Sequence, residues 1–181
     1  TLEALHVQPS NVTLELTETY LIKEDAGTRD ILEKMKKMGI NLAMDDFGIG
    51  YSSLFSLKNI PVDIVKIDRG FVKGITSDLF NATFVRAITE LCHDVGKKVC
   101  LEGVETKEEY DVVKNSGLEL IQGFYFGYPI NAEMFEKQWL CNGNEESEPF
   151  KTIKREGSAV NSFPLFYVYY YTTKLRKYQG L

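Results

Sequence analysis

Positive charge is in short supply in this sequence. Its 21 lysines and arginines face 26 aspartates and glutamates, a net charge of −5, and no basic stripe runs along any segment. That excludes nonspecific binding of a nucleic-acid polymer, which depends on basic residues displacing counterions. Cysteine is scarce as well. Cys92, Cys100 and Cys141 are widely spaced and odd in number, which fits neither a disulfide framework nor a zinc site. They point to a reducing compartment, so the cytoplasm is the expected location. No apolar run approaches the roughly 18 residues of a membrane span, and the first residues carry no signal-peptide pattern. His6 and His93 stand alone, without a ligand partner at metal spacing. An acidic protein that handled an anionic phosphate ester would need metal ions to offset the repulsion.

What is present is 181 residues, 44% of them hydrophobic, enough for one globular domain with a sizeable core. Period-two and helical patterns alternate along the chain. Strands are expected at about 11–16, 40–46, 62–68, 98–105 and 118–126. Helices are expected at about 25–38, 52–58, 81–95, 107–115 and 131–140, three of them stopped by Gly39, Gly96 and Gly117. Residues 1–9 read as the end of a further helix. Strands alternating with helices across short loops indicate parallel βαβ units, five in number.

The stretch Asn41–Gly50 ends its apolar run in two adjacent carboxylates, Asp45 and Asp46, and then enters a loop with two glycines. Neighbouring carboxylates repel unless a positive group lies between them, and a hard divalent cation is one such group. An ordinary solvated turn is the competing reading. The other strands favour the first. Each is apolar except for one polar position near its C-terminal end: Glu15, Asp45, Lys66, Glu102 and Gln122. Period two places all five on one face, which in a closed parallel barrel is the interior at the catalytic rim.

These residues carry a resemblance. Glu15-Leu16-Thr17-Glu18, Asp45-Asp46-Phe47-Gly48-Ile49-Gly50, Lys66-Ile67-Asp68, Glu102-Gly103-Val104-Glu105 and Gln122-Gly123-Phe124 together resemble the EAL family of cyclic-di-GMP phosphodiesterases, over residues 1 to about 140. The resemblance implies an α/β fold, a TIM-like barrel of which about five of eight βα units are present, hydrolysing cyclic-di-GMP to linear pGpG with Mg²⁺ or Mn²⁺, two ions in all. By that analogy Glu15, Asp45 and Asp46 are metal ligands, Lys66 holds the attacking water or the phosphate charge, and Glu102 and Gln122 complete the metal and water shell. Glu18 and Glu105 brace the rim, and Asp68 contacts substrate. A homodimer through the loop after Asp46 is also implied.

The chain departs from the family pattern at several points. The Glu-Ala-Leu strand and a strand with an Asn ligand are expected upstream of residue 1, and Leu2-Glu3-Ala4-Leu5 has those letters by coincidence. Weak or absent turnover by this chain alone is therefore expected. The alternative is an inactive module that binds cyclic-di-GMP or a protein partner as a scaffold. Ile49 stands where the family has Thr or another small residue, and Phe126-Gly127-Tyr128-Pro129 replaces Phe-Ser-Lys-Pro. Residues 141–181 form a second region: a polar linker, then an aromatic-rich tail over 162–173 with high β propensity.

Overall fold

A computed structural model describes residues 6–17, 26–49 and 57–135, with Leu2, Ala4, Leu21 and Lys137 as single positions. All of these fall within one compact unit, Thr1–Lys151. Glu18, most of the helices expected at 52–58 and 131–140, and the whole linker and aromatic tail lie outside the described residues.

Five strands form one parallel sheet: β1 (Thr13–Thr17), β2 (Asn41–Phe47), β3 (Ile64–Ile67), β4 (Lys98–Leu101) and β5 (Leu120–Ile121). Helices α1 (Ala26–Lys37), α2 (Leu79–Asp94), α3 (Lys107–Val113) and α4 (Ala132–Phe135) follow β1, β3, β4 and β5. The strands lie in the order β1-β2-β3-β4-β5, so each pairs with its neighbour in sequence. A doubly wound sheet would reverse direction at a switch point, whereas a barrel adds each strand to the same edge. This is an incomplete TIM-like (β/α) barrel, as the resemblance implies.

The two faces of the sheet differ in chemistry because the strands alternate. Leu42, Met44, Val65, Ile67, Val99 and Leu101 face the helices and belong to the main core. On the other face Ala43, Ile64 and Cys100 form a smaller cluster, with Leu120 against it. That second face is the barrel interior, and its polar residues come at the strands' C-terminal ends. Of the apolar positions expected in the helix at 25–38, Leu32 and Met35 pack on the core, while Ile31 and Met38, the latter just past the end of α1, are exposed.

Three strands are shorter than their apolar runs. β4 stops at Leu101 because Gly103, at φ +79°, turns the chain where a Cβ would overlap Arg69. β5 stops at Ile121 because Gly123 lies against the Val104 backbone, with no room for a side chain. β3 starts late because residues 60–62 are held from outside the ladder. The buried Lys97 ammonium donates to the carbonyls of Ile60 (2.8 Å) and Val62 (2.9 Å). Asp63 pairs with Lys36 and accepts from the Leu42 N–H.

Caps fix where the helices begin. Asp78 accepts from Phe80 N–H at the start of α2, and Thr106 with Glu109 forms a capping box on α3.

Burial pushes the thiols of Cys92 and Cys100 up to about 12, far from the thiolate range. In a Cys141→Ser variant, both remaining thiols are expected to resist Ellman's reagent at pH 8 until denaturant unfolds the chain. Rapid reaction of either in the folded protein would place it outside the core.

Candidate functional site

Each strand of the barrel ends in a different polar side chain, and four of them meet. Nζ of Lys66, on β3, lies 2.8 Å from Glu15 Oε1 (β1), 3.0 Å from Asp45 Oδ1 (β2) and 2.6 Å from Glu102 Oε1, just past β4. The Lys66 side chain is 1% exposed, while the three carboxylate side chains retain 16–21%. The ammonium is thus sealed below, and the carboxylates open toward the rim. Burial alone would lower the pKa of Lys66, but hydrogen bonds and charge from Glu102 and Glu15 outweigh it and hold it well above the ordinary lysine value. Burial also raises Glu102, opposed by Lys66.

Gln122 follows β5 on the face of Leu120. Its N–H donates to Leu101 C=O (2.8 Å), and its C=O accepts from Val104 N–H (3.1 Å). Its side-chain Oε1 is buried and has no hydrogen-bond partner among the described residues.

Asp46 follows Asp45 through a device that period two does not predict. Met44 pairs with Val65 and Phe47 with Ile67, so Asp45 and Asp46 both stand against Lys66 alone. This is a β-bulge, with Asp46 in the left-handed region at φ +59°. Strict alternation would send Phe47 inward. The bulge instead keeps Met44 and Phe47 both in the helix-side core.

The remaining predicted residues lie around this centre. Asp68 Oδ1 accepts from Gly70 N–H (2.6 Å), capping the 3₁₀ turn Arg69–Phe71. Glu105 is exposed one residue ahead of the α3 cap, and its N–H donates to Glu109 Oε2. Asp63 and Asp68, the carboxylates nearest Lys66 in sequence, are engaged elsewhere, with Lys36 and Gly70. In the departing loop, Tyr128 is exposed and stacks on Phe124 with ring centres 4.7 Å apart.

Among the described residues no group of three or more His, Cys, Asp or Glu side chains is arranged to hold a metal ion by itself. The carboxylates converge on Lys66 instead. The donor set nevertheless fits a hard divalent cation. Three carboxylates against one ammonium leave negative charge in excess, and the donors are all oxygen. The buried Gln122 oxygen lacks a partner.

The family model described as "EAL domain" matches residues 1–129. The chain belongs to the EAL domain family. Its relatives include the bifunctional diguanylate cyclase/cyclic di-GMP phosphodiesterase MucR of Pseudomonas aeruginosa, 39% identical over 127 residues. That match covers 70% of this chain but 18% of MucR, so the chain spans under a fifth of that relative's length. Among solved structures, the PaMucR phosphodiesterase in complex with c-di-GMP is 37% identical with a TM-score of 0.68, over 74% of this chain and 54% of that one. The manganese and cyclic-di-GMP complex of Klebsiella pneumoniae BlrP1 is 37% identical with a TM-score of 0.67, over 71% and 33%. EAL domains as a family are hydrolases of cyclic-di-GMP, and relatives of this chain have been solved with that ligand and a divalent metal.

Replacing Lys66 with Met leaves Glu15, Asp45 and Glu102 crowded without their cation, a loss on the order of 3–5 kcal/mol for a buried pair broken on one side. Removing the cation takes away what opposes burial at Glu102, so the folded pKa of that carboxyl rises further above its unfolded one. The deficit is therefore full near pH 7 and shrinks as pH falls through the carboxylate range, toward about 4. Urea unfolding of the Lys66→Met variant at several pH values reads this. A deficit that does not change with pH would show that the three carboxylates do not share the lysine's charge.

Proposed function

We propose that this chain forms part of a cyclic-di-GMP phosphodiesterase acting in the cytoplasm, hydrolysing the cyclic dinucleotide to linear pGpG. The observation that supports this most is the buried Lys66 ammonium shared by three carboxylates from three other strand ends. Glu15, Asp45 and Asp46 would hold Mg²⁺ or Mn²⁺, two ions, with Glu102 and Gln122 completing the shell around metal and water. Bound there, the ions would lower the pKa of a water and offset the phosphate charge.

The protein's own contribution is electrostatic and positional. Lys66, kept protonated by its carboxylates, commits its three N–H groups to Glu15, Asp45 and Glu102. A carboxylate drawn toward a bound ion would free one N–H to donate to the attacking water or to a phosphoryl oxygen, where negative charge grows. The water oxygen forms the new bond to phosphorus, the bond to the 3′-oxygen breaks, and that oxygen takes a proton. Linear pGpG keeps its 5′-phosphate. In the same proposal Asp68 contacts substrate through Oδ2, the oxygen not used in its cap, and Glu18 and Glu105 steady the rim.

The test is incubation of the full chain with cyclic-di-GMP in Mn²⁺ or Mg²⁺. Metal-dependent pGpG formation, even if slow, is expected to vanish in excess EDTA. It should fall by about 10²-fold or more in Lys66→Met, the scale for a lost charge-stabilising donor. Calorimetric binding in Ca²⁺ without turnover in Mg²⁺ or Mn²⁺ would move the reading to a receptor.

A homodimer through the loop after Asp46 belongs to this proposal, supported by Ile49 and Phe80, 64% and 69% exposed. Sedimentation should show Ile49→Asp shifted to monomer at concentrations where the parent chain is dimeric. A parent chain that is monomeric throughout would exclude the dimer.

A further inference from the structure

The Asp45-Asp46 bulge is backed by an aromatic pair that none of the sequence motifs includes. Gly48, at φ +97°, lies so close to the Phe71 ring that a Cβ on it would come within 2.5 Å of Cε2 and 2.9 Å of Cζ. Phe71 stacks face to face on Phe84 of α2, with ring centres 4.0 Å apart and planes 6° from parallel. The pair is a flat floor beneath the loop that leaves the strand carrying both carboxylates. Phe71 ends the 3₁₀ turn capped by Asp68, and Asp68 N–H donates to Phe47 C=O (3.3 Å). The turn after β3 therefore grips the end of β2 at two points, one through the backbone and one through the ring.

We propose that Phe71 is a positioning residue for the Asp45-Asp46 carboxylate pair. This rests on the proposed function, because the pair matters there as a metal-binding unit. Asp46 is a non-glycine residue in a left-handed conformation, which persists only where the surroundings over-determine it. On one side Phe47 is anchored in the core, 3% exposed. On the other, Gly48 rests on the ring. Removing the ring frees that second anchor and lets Asp46 leave its left-handed conformation, which changes the spacing of the two carboxylates. Phe71 itself touches neither metal nor substrate in this reading.

The test compares Phe71→Ala, Phe71→Leu and Val113→Ala with the parent chain. Val113 is a core residue on α3, 1% exposed, and serves as a control for lost stability alone. Mn²⁺ binding is measured by calorimetry and stability by thermal unfolding, with pGpG formation against Mn²⁺ concentration as a second readout. Phe71→Ala is expected to weaken Mn²⁺ binding by about 10–100-fold, the range for residues that orient metal ligands. Phe71→Leu, which restores an apolar cover, should recover most of it, and Val113→Ala should lose stability with Mn²⁺ affinity intact. Parent-like affinity in Phe71→Ala, or an equal loss in Val113→Ala, would overturn the proposal. Should Phe71→Ala fail to fold, loss of Mn²⁺ affinity in folded Phe71→Leu short of the Ala range supports it, and parent-like affinity there overturns it. A parent chain that binds no Mn²⁺ would overturn the proposed function, and this inference with it.

Discussion

One ammonium group shared by three carboxylates sets the terms for the rest of the barrel. Lys66 is sealed from solvent and can stay charged only because Glu15, Asp45 and Glu102 reach it. The carboxylates, half-shielded themselves, can lie so close together only because Lys66 sits among them. Desolvation and attraction are both large here, and at Lys66 attraction wins, so small errors in strand placement would be costly. The parallel register of β1 through β4 supplies that placement, and the Gly103 and Gly123 contacts end the last two strands where the polar side chains are needed.

The two faces of the sheet divide the work. The helix-side face carries the larger apolar cluster and most of the stabilising burial. The interior face is built from Ala43, Ile64 and Cys100, small or branched groups that fill the space below the charged layer without contributing polar atoms of their own near Lys66. Cys100 is the nearest nucleophile to the site by sequence, but its buried thiol is poised for packing rather than chemistry. The strap from Lys97 to the carbonyls of Ile60 and Val62 fixes the opposite end of β3, so the lysine-bearing strand is held at both ends.

Much of this was legible in the sequence. Alternation of apolar and polar positions revealed the strands, and glycine stops revealed the helix ends. The recurrence of one polar residue per strand end located the site before any fold was known. Two features were hidden, each for a physical reason. Period two assumes a regular ladder, so it could not place Asp45 and Asp46 together; the clue was Met44 and Phe47, two large apolar residues three apart. The Phe71–Phe84 stack was hidden because core aromatics look alike in a sequence, and only the contact with Gly48 distinguishes this pair. Strand ends were overestimated at 102–105 and 122–126 because the limit there is a close backbone approach, which hydrophobicity does not encode.

The bulge in β2 has an implication for how such a site can be altered. If Asp46 were removed from the chain, Met44, Asp45 and Phe47 would fall opposite Val65, Lys66 and Ile67 in an unbroken ladder, with every flanking side chain on its present face. The second carboxylate is thus a one-residue insertion into an otherwise regular strand. A lineage or an engineer could gain or lose that carboxylate by a single codon's length change, leaving the lysine and its three partners where they are.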